Sequence, residues 1–128
     1  MSHVLIVEDN AELAAASETM FRSNGFSVAV ASNSGDALEA MSNEEQPIDV
    51  VVLDLNLAGE RGETLIRRAE RFKIPLPSII ITSAEPRTDC AYALLELGAA
   101  ACLTKPFSLE DLLAETRKAI ADPQPHLA

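Results

Sequence analysis

The pentapeptide VVVLD at residues 50–54 sets the reading of the chain. Four apolar residues run without a polar break and then stop on an acid. An unbroken apolar run suits a strand covered on both faces, as in a parallel sheet. Val4–Val7, Ile79–Ile81 and Ala100–Leu103 have the same texture, while Val28 and Val30 alternate in Ser27–Ala31 as an outer strand would. None of these runs approaches the roughly 20 apolar residues that a membrane-spanning helix needs.

Helical patterns separate the apolar runs. Leu13, Ala16, Met20 and Phe21 share a face between Asn10 and Gly25, and Leu38 and Met41 mark a shorter helix after the Ser34-Gly35-Asp36 turn. Leu65, Ile66, Ala69 and Phe72 mark a third helix, and Ala91, Leu94 and Leu95 a fourth that ends at Gly98. In the last, Ser108 fits an N-cap with Asp111 at the third helical position. Phe107 can staple onto Leu112, and Leu109, Leu112, Leu113, Thr116 and Ile120 continue the stripe. The resulting βαβαβαβαβα order predicts an α/β fold: a five-stranded parallel sheet, strand order 2-1-3-4-5, with helices on both faces in the doubly wound, flavodoxin-like manner.

At 128 residues the chain has room for one core. Residues 1–121 are expected to form the domain. Residues 122–128, with Pro123 and Pro125, read as a flexible tail or linker stub. The formal charge of −10 disfavours direct binding to nucleic acid, and no basic segment followed by an apolar stretch suggests secretion, so the cytoplasm is the expected compartment. Cys90 and Cys102, lacking CxxC spacing, suggest neither a disulfide framework nor a zinc site. Both read as small buried hydrophobes, with a redox pair as the minor alternative.

In such a sheet, ligands bind beyond the carboxyl ends of the strands. The first strand ends in Glu8-Asp9, the third in Asp54, the fourth in Thr82-Ser83 and the fifth in Thr104-Lys105-Pro106. Three acids, several hydroxyls and one lysine therefore converge on one edge. Carboxylates about 4 Å apart repel by roughly 4 kcal/mol at an effective dielectric near 20. The cluster must take up protons or hold a cation, and Lys105 can neutralise one charge. Oxygen-only ligation with room for waters suits Mg²⁺ better than Ca²⁺ or Zn²⁺. Neither His3 nor His126 has the spacing of a metal ligand. Arg67, Arg68, Glu70 and Arg71 read as a solvated helix face.

Four motifs in order, VLIVEDN at 4–10, VVLDLNLAGERG at 51–62, IITSAE at 80–85 and GAAACLTKPF at 98–107, resemble the receiver domains of two-component response regulators. The resemblance spans about residues 3–121. It implies Asp54 as phosphoacceptor, and Mg²⁺ bound by Asp9, Asp54 and the backbone carbonyl of Asn56, with Glu8 acting through water. It further implies Lys105 and Thr82 as contacts to the phosphoryl group and a cis Lys105-Pro106 peptide. The expected partners are a sensor histidine kinase or histidine phosphotransfer protein and a downstream effector. For the effector, Leu94, Leu95 and Leu97 with strand 5 and helix 5 offer a face, the alternative being that helix 4 simply has a broad buried stripe. Phosphorylation-dependent pairing of two copies is a further expectation. The chain would catalyse only its own phosphorylation and dephosphorylation, and no membrane contact is expected. Asn56 and Ala84 stand where the family tunes the phosphoryl lifetime, and small Ala84 suggests one that is not exceptionally long.

The pattern departs from the family at two places. Ala58 stands where receivers often have proline. Cys102 stands where an aromatic ring usually moves with the threonine, so Tyr92 is the candidate to fill that space. Two rival functions remain: an interaction domain that works without phosphorylation, and a Mg²⁺-dependent phosphohydrolase, disfavoured because Asn56 replaces a second acid. A flavin site has less support, with no Trp and one Tyr. With no effector domain after residue 121, both a stand-alone receiver and the front of a longer regulator fit.

Overall fold

The computed structural model describes residues 2–122, except for the side chains of residues 86–88. The main sheet contains β1 (His3–Val7), β2 (Ser27–Ala31), β3 (Val50–Asp54), β6 (Ser78–Ser83) and β7 (Ala101–Thr104). All pairings are parallel and the spatial order is β2-β1-β3-β6-β7. Counted over these five strands, that is the predicted order 2-1-3-4-5, a doubly wound, flavodoxin-like sheet. The helices are α1 (Ala11–Ser23), α2 (Ser34–Met41), α3 (Glu63–Arg71), α4 (Pro86–Leu95) and α5 (Leu109–Ala121). No helix among the described residues is long and apolar enough to cross a membrane.

Strand composition accounts for the two cores. Side chains alternate across each strand, so Val4 and Ile6 of β1 face one side while Leu5 and Val7 face the other. The first side packs with Val50, Val52 and Ile80 against Phe21 of α1 and Leu112 of α5. The second packs with Val51, Leu53, Ile79 and Ile81 against Ala37 of α2, Leu65 and Ile66 of α3, and Ala93 of α4. Full burial of a side chain such as Phe21 or Leu112 stabilises by about 1.5–3 kcal/mol.

Local signals fix the helix ends. Asn10, Asn33 and Ser108 accept from the backbone N–H groups of Leu13, Asp36 and Asp111 at 3.0, 2.8 and 3.0 Å. Gly25 and Gly98, just past α1 and α4, have φ of +87° and +69°, which glycine adopts without steric cost. Phe107 packs in the same core as Leu112, consistent with the staple.

Several expectations are corrected. Between β3 and α3 the chain forms an antiparallel hairpin, β4 (Asn56–Leu57) and β5 (Glu60–Arg61), too short to leave a period in the sequence. Helix α2 begins at Ser34 with Asn33 as its cap, so Ser34-Gly35-Asp36 is its first turn. In α1 the inward residues include Ala14 and Ser17, and Ala16 is exposed. Phe72, at the end of α3, is 60% exposed beside Arg71. Strand β7 lies at the sheet edge and is only partly buried, unlike the other apolar runs. Helix α4 turns Asp89 and Ala93 inward and leaves Leu94 at 47% and Leu95 at 82% exposure, while Leu97 just past its end is buried. Finally, Cys90 of α4 and Cys102 of β7 are joined by a disulfide, contrary to the expectation of two free thiols. Residues 123–128, including His126 and most of the expected tail, lie outside the described residues.

Candidate functional site

Parallel register brings the predicted residues together. Val7 pairs with Leu53, so Glu8 and Asp54 leave adjacent strands side by side. Asp54 pairs with Thr82, and Ser83 with Thr104, immediately before Lys105. The amide of Lys105 donates to the carbonyl of Ser83 at 2.8 Å, which extends the ladder into the loop. The Lys105-Pro106 peptide is cis.

Glu8, Asp9 and Asp54 each place a carboxylate oxygen within 4.8 Å of the others. Asp54 and Thr82 are both 2% exposed, whereas Asp9 is open to solvent. Lys105 Nζ donates to Asp54 Oδ2 at 2.9 Å and to Glu8 Oε1 at 2.7 Å. Its one positive charge is thus shared between two acids. Burial opposes the charged ammonium, but the bonds to Glu8 and Asp54 outweigh it and hold Lys105 above its ordinary value. Burial likewise pushes the Glu8 carboxyl up, and Lys105 with the Asn10 amide only partly offsets this.

The backbone around the acceptor position is held closely. The Asn56 amide donates to Asp54 Oδ1 at 2.9 Å. Ala58 donates its amide to Asp9 Oδ2 at 2.6 Å, a bond that proline at this position would lack. A Cβ on Gly62 would lie 2.0 Å from the backbone oxygen of Asp54, so only glycine lets the chain return this close. Glu60 reaches across to accept from the Ser34 amide at 2.8 Å. The hairpin is thus clipped to the loop after β1, to β3 and to the start of α2.

A second polar group beside the site escaped sequence reasoning. Arg61 donates to Asn56 Oδ1 at 2.7 Å, to Asp89 Oδ1 at 3.0 Å and to Glu63 Oε1 at 3.2 Å. The Ser83 hydroxyl donates to Asp89 Oδ2 at 2.6 Å and accepts from the Glu85 amide at 2.9 Å. The Tyr92 hydroxyl donates to Glu63 and accepts from Arg67 at 2.9 Å. Tyr92 thus commits its polar end to α3, while its ring packs on the core cluster that also meets Cys102. Arg67 lies on the exposed face of α3, as expected, and adds bonds to Tyr92 and Glu63. The available signal was an arginine between two glycines in the loop after Asp54, but its partner lies 28 positions away.

His3 sits at the other end of β1, bonded to Asp49 and Ser27, remote in register from the acids. The acidic set consists of hard oxygen donors, fits a small divalent cation, and includes neither thiolate nor imidazole.

Comparisons with known proteins agree with this geometry. Residues 4–117 match the family described as the response regulator receiver domain. The response regulator SaeR of Staphylococcus aureus (strain USA300) is 32% identical over 113 residues, 88% of this chain and 48% of that protein. The chain thus spans about half the length of this relative. The receiver domain of the Francisella response regulator 1452 superposes with TM-score 0.84 at 26% identity, covering 97% of this chain and 100% of that one. A Burkholderia pseudomallei response regulator, solved with a phosphorylated aspartic acid, calcium ion and citrate, gives TM-score 0.77 at 22% identity over 95% of this chain and 70% of that one. Four ordered motifs, one sheet topology and one acidic edge spanned by a lysine therefore identify the chain as a member of the response regulator receiver domain family of two-component signalling.

Proposed function

We propose that the chain is a phosphoacceptor switch that takes a phosphoryl group onto Asp54 from a histidine kinase or histidine phosphotransfer protein, and thereby alters what it binds. The observation that carries this reading is Lys105 spanning Asp54 and Glu8 at the head of a three-carboxylate cluster. The phosphorylated aspartic acid of the Burkholderia relative supports the same chemistry. An Asp54 oxygen attacks phosphorus, the bond from phosphorus to the donor nitrogen or oxygen breaks, and the leaving group departs with its electron pair. The protein contributes position and charge. Asn56 holds one Asp54 oxygen through its amide, and Lys105, bonded to the other, would follow the added negative charge. Thr82 would bond the transferred group, a role supported by its position beside Asp54 in register.

Asp9, Asp54 and the Asn56 carbonyl would hold Mg²⁺. Glu8 would act through water, since one of its oxygens serves Lys105 and the other the Asn10 amide. When bound, the cation supplies charge neutralisation for the incoming phosphoryl oxygens. The proposed compartment is the cytoplasm, where nucleotide-dependent kinases operate. No separate product is made: the chain promotes only its own phosphorylation and, through water reaching Asp54 past Asn56 and Ala84, its own dephosphorylation. Effector contact through α4, β7 and α5 is part of the reading.

Incubation with acetyl phosphate and Mg²⁺, followed by intact-mass measurement, tests it. One added phosphoryl mass is expected, abolished by Asp54→Asn and by chelation of the cation. A folded protein labelled by neither acetyl phosphate nor phosphoramidate would favour a phosphorylation-independent interaction domain. Sustained turnover of an unrelated phosphomonoester would favour a phosphohydrolase.

A further inference from the structure

Helix α4 is weakly self-supporting. Its N-cap residue, Glu85, makes no side-chain cap, and its last turn carries no basic residue. With only ten residues it falls below the length at which an isolated helix is stable in water. Its apolar hold on the sheet is small, because Leu94 and Leu95 point outward and only Ala93 and the Tyr92 ring reach the core. It is further fixed by polar bonding through Asp89 and Tyr92 and by one covalent tie, Cys90 to Cys102, with 5.4 Å between their Cα atoms.

That tie has a telling position. Cys102 pairs with Ile81, and the next residue, Leu103, pairs with Thr82, which itself pairs with Asp54. On α4, Cys90 directly follows Asp89, the residue that Arg61 links to Asn56. The disulfide therefore joins the two elements flanking the hydroxyl end of the site, and it is the only covalent link between them apart from the chain. Neither cysteine is fully buried. No third cysteine exists to compete for either sulfur.

We propose that Cys90 and Cys102 form a thiol–disulfide exchange site whose oxidised form latches α4 to β7 and whose reduced form releases it. The co-reactant class is a low-molecular-weight thiol and its disulfide. A thiolate attacks one sulfur of the pair, the protein S–S bond breaks, and the departing cysteine thiolate takes a proton from water. A second thiol then attacks the external sulfur of the mixed disulfide, releasing the other cysteine. Two external thiols become one disulfide while the protein disulfide becomes two thiols, and oxidation is the reverse. Disulfides in a thiol-rich compartment are usually transient or redox-sensing, which suits a pair that closes a latch rather than a framework. The inference stands apart from phosphorylation, and its test measures none.

The intact chain is equilibrated with reduced and oxidised glutathione at varied ratio, then probed by iodoacetamide alkylation and by amide hydrogen exchange. Reversible conversion in the folded state is expected, with both cysteines protected from alkylation at the oxidising end and open at the reducing end. Amides of residues 89–104 should exchange several-fold faster when reduced, with α1 and β1 unchanged. Cys90→Ala and Cys102→Ala should match the reduced wild type in either buffer. The reduced wild type supplies the same comparison should a variant fold poorly. Three results would overturn the proposal: cysteines that alkylate under oxidising conditions in the folded chain, a disulfide that opens only on denaturation, or equal α4 exchange in the two states.

Discussion

Gly62 shows how tightly single residues constrain the site. Its amide donates to the Leu55 carbonyl at 2.9 Å, and its missing side chain leaves room for the Asp54 backbone oxygen. In Gly62→Ala the new methyl group would overlap backbone rather than a side chain that could swing aside. A loss of about 3 kcal/mol or more is expected in urea denaturation, at the upper end for overpacking. Ala58 permits a subtler test. It precedes Gly59, whose φ of +79° fits the third position of a turn that welcomes proline at the second. Ala58→Pro would remove the amide donated to Asp9 while stiffening the unfolded chain, an entropic gain of about 0.4–1 kcal/mol. The lost bond and this gain oppose each other, so stability should move little. Asp9, no longer shared with an amide, should bind Mg²⁺ several-fold more tightly in calorimetry. Unchanged or weaker binding would show that the amide positions Asp9 for the cation instead.

Among the elements, α5 and α4 mark the boundary of what was legible in the sequence. The start of α5 is written locally in Phe107, Ser108 and Asp111, and Glu8 and Asp54 each directly follow an apolar run, with Asp9 next to Glu8. Both signals survive in a few adjacent letters. The orientation of α4 does not, because apolar periodicity around Ala91, Leu94 and Leu95 carries no record of what polar residues find across the fold. Asp89 meets Ser83 and Arg61, Tyr92 meets Glu63, and Cys90 meets Cys102; together these turn the helix away from its apolar stripe. Acid should loosen this anchoring. Burial favours the protonated carboxyl of Asp89, but the Ser83 hydroxyl and Arg61 prevail and hold it below its usual value. Glu63 is lowered similarly, burial being overcome by Tyr92 and Arg61. A lowered folded value means that the stabilisation is present above the unfolded carboxylate range, about pH 4, and is lost as pH falls through the folded value. Asp89→Asn should therefore cost about 1–3 kcal/mol at neutral pH, the range for bonds to a charged group. That penalty should shrink below about pH 4 in urea titrations. A constant penalty down to about pH 3 would mean that the Asp89 charge contributes nothing to the anchoring of α4.

At the scale of the whole molecule, a chain of charge −10 also concentrates three carboxylates at one edge. Two electrostatic effects are then superimposed, and they can be separated by experiment. Diffuse self-repulsion is relieved by any salt, because the screening length falls from about 30 Å at 0.01 M to about 8 Å at 0.15 M. Local repulsion between Glu8, Asp9 and Asp54 acts within 4.8 Å, inside either screening length, so simple salt relieves it poorly. Only Lys105, or a cation seated among the carboxylates, relieves it directly. Sodium chloride should thus raise the melting temperature modestly and then level off. Mg²⁺ at matched ionic strength should raise it further, by about 2.7 kcal/mol of stabilisation when its concentration is a hundred times its dissociation constant. Asp9→Asn separates the two effects. Its amide oxygen can still accept from Ala58, but one like charge is gone, so the metal-free protein should melt higher than wild type. The same variant should lose most of the Mg²⁺-specific increment while keeping the response to sodium chloride. Were the Mg²⁺ increment to survive in Asp9→Asn, the cation would be acting on the diffuse charge of the surface, and the three carboxylates would owe their arrangement to Lys105 alone.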